Sequence, residues 1–173
     1  MKKRILAVIG LWCMFLLIGC NSGVQSNKEI QDIRKLVQKY SVSTADDVSA
    51  SITSNKLIVK DEDDKEIAYD FSEEEFFVSI APYVEETHPC EIHSLTGCQG
   101  EMVNMDFDVM IQDEDGKVIV DETMTSFENG FIDVWLPRNQ TYQVKINYGD
   151  QTSESTISTF EGDNTCITTM QLI

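Results

Sequence analysis

The sequence predicts an α+β protein: an N-terminal helix with a small antiparallel β region, followed by a C-terminal antiparallel domain of the β-sandwich type. Three observations carry that reading. Apolar residues recur at helical spacing in one place, over residues 27–39. Short β-prone runs broken by turn residues fill residues 48–80. After Gly100, alternating strands are separated by Gly, Asn and Pro signals at intervals of about 8–12 residues, the pattern of a sandwich or barrel.

Before the helix comes a leader. Met1, Lys2, Lys3 and Arg4 open the chain, an apolar run covers residues 5–18, and Gly19 and Cys20 close it. A basic start, an apolar stretch of this length and small residues before a cleavage point describe an export signal rather than a spanning helix. Leu17-Ile18-Gly19-Cys20 reads further as a lipobox, with Cys20 the diacylated first residue of the mature chain. The expectation is a lipoprotein signal over residues 1–19, a polar tether over 20–26, and a protein anchored at the extracytoplasmic face of the cell membrane. Cys13 leaves with the leader.

Loss of residues 1–19 removes three of the 13 basic residues and none of the 30 acidic ones, so 10 stand against 30 and the mature net charge is −20. Such a balance excludes nucleic acid and electrostatic binding to anionic lipid as partners. The acidic clusters at 61–64, 73–75 and 113–115 read as solvated turns, since surface carboxylates commonly serve solubility. Neither 61–64 nor 113–116 has the glycine and terminal glutamate of a calcium-binding EF-hand loop at the required offsets.

The helix over 27–39 places Ile30, Ile33, Leu36, Val37 and then Tyr40 on one face, a stripe suited to core packing. The runs 51–53, 57–59, 66–71 and 76–80 read as short strands. Pro82 ends the last of them, and Pro89 forces His88 into an extended backbone, so residues 87–101 are expected as a loop between two β regions. The sandwich over 102–173 is expected to bury Phe107, Val109, Val134, Leu136, Val144 and Ile146. Both faces of the run 131–136 are apolar, which suggests a central strand covered on both sides. A last strand over 165–172 would place Cys166, Thr168, Met170 and Leu172 on one face.

Chemistry concentrates in the loop. Residues 87–101 hold both histidines and two of the five cysteines, in the order His88-x-Cys90-x2-His93-x4-Cys98. Thiolate and imidazole select late first-row metals. The spacing matches no standard structural zinc site. Two readings of these residues stand side by side: a metal site, or a Cys90–Cys98 disulfide of the kind common outside the cytosol. The mature chain keeps three thiols besides Cys20, so a disulfide leaves one unpaired, whereas three thiolates, or two with an imidazole, use every donor. Met102, Met105 and Met170 are auxiliary thioether candidates, though methionine more often fills a core. Thiol-nucleophile, serine-hydrolase and thioredoxin-type chemistry lack an oxyanion hole, a G-x-S-x-G turn and a C-x2-C on a helix, respectively.

The run THPCEIHSLTGCQGE, with the later TCITTM around Cys166, resembles the CueP family of periplasmic copper-binding proteins. The resemblance extends from about Tyr40 to the end, and Cys90, Cys98 and Cys166 match the family's three cysteines. It implies an envelope protein that binds copper, keeps or makes it Cu(I), and in some members hands it to a copper enzyme. The expected donors are then Cys90, Cys98 and Cys166, with His93 as the fourth and His88 as a further candidate. A binding or chaperone role and a thiol-dependent cupric reductase both fit the same residues, and a disulfide-stapled envelope module without metal is the alternative. The helix can pack on its own sheet or exchange with a second chain, which leaves a homodimer open.

Overall fold

A computed structural model describes residues 22–42, 47–71 and 73–173; the leader, Cys13 and the lipobox with Cys20 lie outside the described residues. The elements are α1 (Ser22–Ser41), β1 (Ser49–Ile52), β2 (Lys56–Lys60), β3 (Glu66–Asp70), β4 (Glu75–Ile80), β5 (His93–Ser94), β6 (Asp106–Asp113), β7 (Val118–Thr125), β8 (Ile132–Pro137), β9 (Thr141–Tyr148), β10 (Gln151–Ser158) and β11 (Cys166–Ile167). Among the described residues the chain is mostly β with one N-terminal helix. That helix starts at Ser22 rather than 27, so most of the expected tether is helical.

The described residues form three sheets, in the orders β3-β2-β1-β5, β10-β9-β6-β7 and β11-β4-β8. All pairs are antiparallel except β11 with β4, which run parallel. Helix α1 packs on its own chain: Val37 is buried, and Ile33, Leu36 and Tyr40 lie half-buried, against Ala50, Ile52, Leu57, Val59, Phe77 and Leu95. The helical period of its apolar residues thus does what it predicts, covering one face of the first sheet.

The main core draws on the other two sheets together. Phe107, Val109 and Ile111 of β6 and Tyr142, Val144 and Ile146 of β9 meet Phe76, Val78 and Ile80 of β4 and Ile132, Val134 and Leu136 of β8. All six residues expected inside are buried. Burial of each such side chain stabilises by about 1.5–3 kcal/mol. Met102 and Met170 are buried in this cluster and Met105 packs against it, so all three methionines act as core fillers.

Several details differ from the sequence-based expectation. Strand β4 comes from the first β region, yet it is the central strand between β11 and β8, so hydrogen bonding crosses from 27–86 into 102–173. Strand β8 is an edge strand, not a central one. It is nevertheless covered on both faces, because Trp135 points away from the main core toward Phe71, Phe77 and the Arg34 guanidinium. β10 was not expected at all: its sequence QTSESTIS is polar, and only Ser153 and Ile157 are buried. Its eight-residue register with β9 supplies what side chains do not. The run 165–172 forms a ladder only at Cys166–Ile167, with a single parallel bridge between Tyr83 and Gln171 further on. The alternation holds all the same, with Cys166, Thr168, Met170 and Leu172 buried.

Candidate metal centre

The loop 87–101 is not free backbone. His93 and Ser94 pair with Ile52 and Ser51 of β1, a two-residue ladder that turns the His93 side chain fully inward. Leu95 N–H then donates to Ala50 O at 2.8 Å, and Cys98 N–H folds back to Ser94 O at 2.9 Å. Ser94 N–H in turn donates to Cys98 Sγ at 3.4 Å. Upstream, the Glu101 carboxylate accepts from the N–H groups of Val84, Glu85 and Glu86. These bonds hold its pKa below the usual value, the Val84 N–H most strongly. Thr87 Oγ1 donates to Thr168 O at 2.7 Å, and together these contacts fasten the segment that leads into His88.

Cys166 reaches the loop through Thr165. The Thr165 N–H donates to Glu91 O at 2.9 Å, its hydroxyl donates to Ile52 O at 2.6 Å, and the same oxygen accepts from His93 N–H at 3.1 Å. One buried threonine therefore joins β11, β1 and the loop. On the other side Gly100 and Gly130 touch: Gly100 N–H donates to Asn129 O at 2.7 Å, and a Cβ on Gly130 would stand 2.6 Å from Gly100 O. Gly130 also has φ +78, a conformation that favours glycine. This contact brings Phe131, fully buried, against the donors, its ring centroid 4.5 Å from that of His93 and 6.4 Å from that of His88.

The donors converge. Cys90 Sγ lies 3.5 Å from Cys98 Sγ, and His93 Nδ1 lies 3.4 Å from Cys166 Sγ. Two sets of three form, His88–Cys90–Cys98 and His93–Cys98–Cys166, each with its ligand atoms within 4.8 Å of one another. Two sulfurs on one ion at about 2.3 Å stand no more than about 4.6 Å apart, so the Cys90–Cys98 separation suits a shared metal. All three thiols are free, and 3.5 Å is far beyond a disulfide bond of about 2.05 Å. Cys90, Cys98, Cys166, His93 and His88, the five residues singled out in the sequence, are thus all brought together. His88 joins despite the proline that follows it.

Electrostatically the cluster is one anion shared among neighbours. The hydrogen bond from Cys166, aided by His93, Ser94 N–H and His88, pulls the Cys98 pKa down to about 3 against the opposing effect of burial. Burial, with the neighbouring Cys98 charge, pushes Cys90 up to about 11. Cys166 is raised too, first by its hydrogen bond to Cys98 and then by burial. His93 Nε2 is buried with no hydrogen-bond partner among the described residues, a group whose desolvation they leave uncompensated.

Other residues that position the centre gave weaker signals. Ser79 and Asp133 stand in register with Cys166 across β4 and β8, and the half-buried Asp133 carboxylate accepts from Ser79 Oγ at 2.6 Å and Ser41 Oγ at 2.7 Å. Burial raises the Asp133 pKa. A lone polar residue within each of the apolar runs 76–80 and 131–136 was a legible hint, because buried polar groups are rare unless paired. Nothing in the sequence marked Thr165, Phe131 or Gly100.

A thiol and imidazole cluster of this kind on a mostly β scaffold defines a soft-metal-binding protein. Residues 31–171 match the family model described as periplasmic copper-binding protein CueP. The chain is 35% identical to a protein whose structure is described as the crystal structure of S.CueP, with a TM-score of 0.77, over 86% of this chain and 97% of that one. No match was found among curated proteins. The chain belongs to the CueP family of periplasmic copper-binding proteins. Copper is accordingly its metal, and its place is extracytoplasmic.

Proposed function

We propose that this protein holds Cu(I) through the thiolates of Cys90, Cys98 and Cys166, with His93 as fourth donor, and serves copper resistance or trafficking in the envelope. The observation that carries the reading is the convergence of three free thiols and two imidazoles, drawn from positions 88 to 166, around a single low-pKa sulfur. Thiolate prefers Cu(I), and an apolar wall of Phe131 and Ala81 limits water on one side. Cys90 and His88 are partly exposed, which leaves the ion open to ligand exchange with a recipient copper protein.

The 3.5 Å between Cys90 and Cys98 also favours a second reading, cupric reduction. Closing that pair to a disulfide releases two electrons, enough to convert two Cu(II) to two Cu(I), while Cys166 and His93 remain as donors. We read the second and third sheets as two layers of a sandwich that carries this loop, and Cys20 as the lipid-bearing residue that tethers it to the membrane.

Thiol counting tests the copper reading. One equivalent of Cu(I), added anaerobically to reduced protein, is expected to protect Cys90, Cys98 and Cys166 together from alkylation; three thiols still reactive under Cu(I) would refute it. The anchor is tested by Cys20→Ser, which is expected to move the protein from the membrane to the soluble fraction, because stable anchoring needs more than one acyl chain. Full membrane retention would contradict it.

A further inference from the structure

The donors fall into two overlapping sets of different depth rather than one symmetrical cage. His88, Cys90 and Cys98 are all partly exposed, whereas in His93–Cys98–Cys166 the two residues other than Cys98 are buried, Cys166 at 1% and His93 at 0% relative exposure. Cys98 belongs to both sets. Both imidazoles lie against the same ring, Phe131, so one fixed apolar wall borders the rim set and the inner set alike.

We propose, resting on the copper reading above, that His88 is a transient ligand that loads and unloads the inner site. A Cu(I) ion arriving at the surface binds His88, Cys90 and Cys98. Cys98 keeps its bond while the ion moves inward; the bond to the His88 nitrogen breaks as the bond to Cys166 Sγ forms. Cys166 enters as a thiolate, so the inward step releases one proton per ion to water and changes no oxidation state. Outward transfer is the reverse, and it returns the ion to the only imidazole of the cluster that solvent or a partner reaches.

A shuttle of this kind has a kinetic signature distinct from that of an ordinary ligand. A group bound only along the path speeds arrival and departure alike, so its loss slows both and leaves their ratio nearly fixed. A group bound in the final state is lost as affinity. The test is stopped-flow exchange of Cu(I) between the reduced full-length protein and a chromophoric Cu(I) chelator, in both directions, for wild type, His88→Ala and His88→Met. His88→Ala is expected to slow loading and release together, each by roughly tenfold or more, with the dissociation constant moving less than about threefold. His88→Met, which restores a soft donor on a flexible chain, is expected to recover the rates.

Faster release with weakened affinity in His88→Ala would make His88 a resident ligand and overturn the proposal. So would unchanged rates in both directions, or two Cu(I) bound at once by the wild type, since the two sets would then be separate stations. Each of these results leaves the copper reading standing; only a wild type that takes no Cu(I) from the chelator removes both.

Discussion

At Cys98 a thiol is held as an anion between neighbours that keep their protons, and that difference is measurable residue by residue. With Cys98 at about 3 and Cys90 at about 11, iodoacetamide at pH 5.5 meets one thiolate and one thiol of similar exposure. Only the thiolate attacks, so Cys98 is expected to be alkylated first, by at least about tenfold even after allowing for the lower intrinsic nucleophilicity of a low-pKa sulfur. The sign with pH follows: Cys98 reactivity stays flat across the neutral range and drops only as pH falls toward 3, while that of Cys90 climbs toward 11. Equal rates for the two by peptide mapping would show that the shared-anion description is wrong. The residue types themselves were legible, since soft donors are rare in this chain and crowd residues 88–98. Which donor is buried was not, because the depth of His93 follows from its ladder with Ile52, a contact between residues 41 positions apart in sequence.

Among the elements, β11 decides the centre: its backbone ladder with β4 holds it in place, and the Thr165 side chain ties it to β1 and the loop. Thr165 gives its hydroxyl to Ile52 O and accepts from His93 N–H, so its replacement by valine removes both of these hydrogen bonds. Valine keeps the shape, which confines the loss to hydrogen bonding. Thr165→Val is expected to lower unfolding free energy by about 1–3 kcal/mol and Cu(I) affinity by roughly 10–100-fold, whereas Thr165→Ser restores both. Denaturation and Cu(I) titration check this pair, and an undisturbed affinity in the valine variant would remove Thr165 from any positioning role. Strands with strong apolar alternation, such as β6 and β9, were readable from period alone. Strand β10 was not, because a polar run becomes a strand only when its neighbour offers a full ladder. The short β11 was overextended for a related reason: alternation persists to Leu172, but after Ile167 the partner chain has turned at Pro82.

For the molecule as a whole, the decisive fact is that the first and second halves of the described chain meet at β4. That strand lies between β8 and β11, so Phe76, Val78 and Ile80 build the main core while Ser79 stands beside Cys166. The break expected after residue 86 rests on Pro82 and Pro89, and neither proline reveals that a strand before them pairs with strands beyond residue 101. The same pairing brings Cys166 beneath a loop 68 positions earlier, which a purely local Cys90–Cys98 site would not require. Copper held by all three sulfurs is therefore tested most directly by the Cu(I) affinity of Cys166→Ser, measured anaerobically against a chromophoric chelator. Loss of a buried thiolate to a hydroxyl that a soft ion barely recognises is expected to weaken binding by roughly a hundredfold or more. An affinity equal to that of the wild type would contradict it, and would confine the metal to the loop.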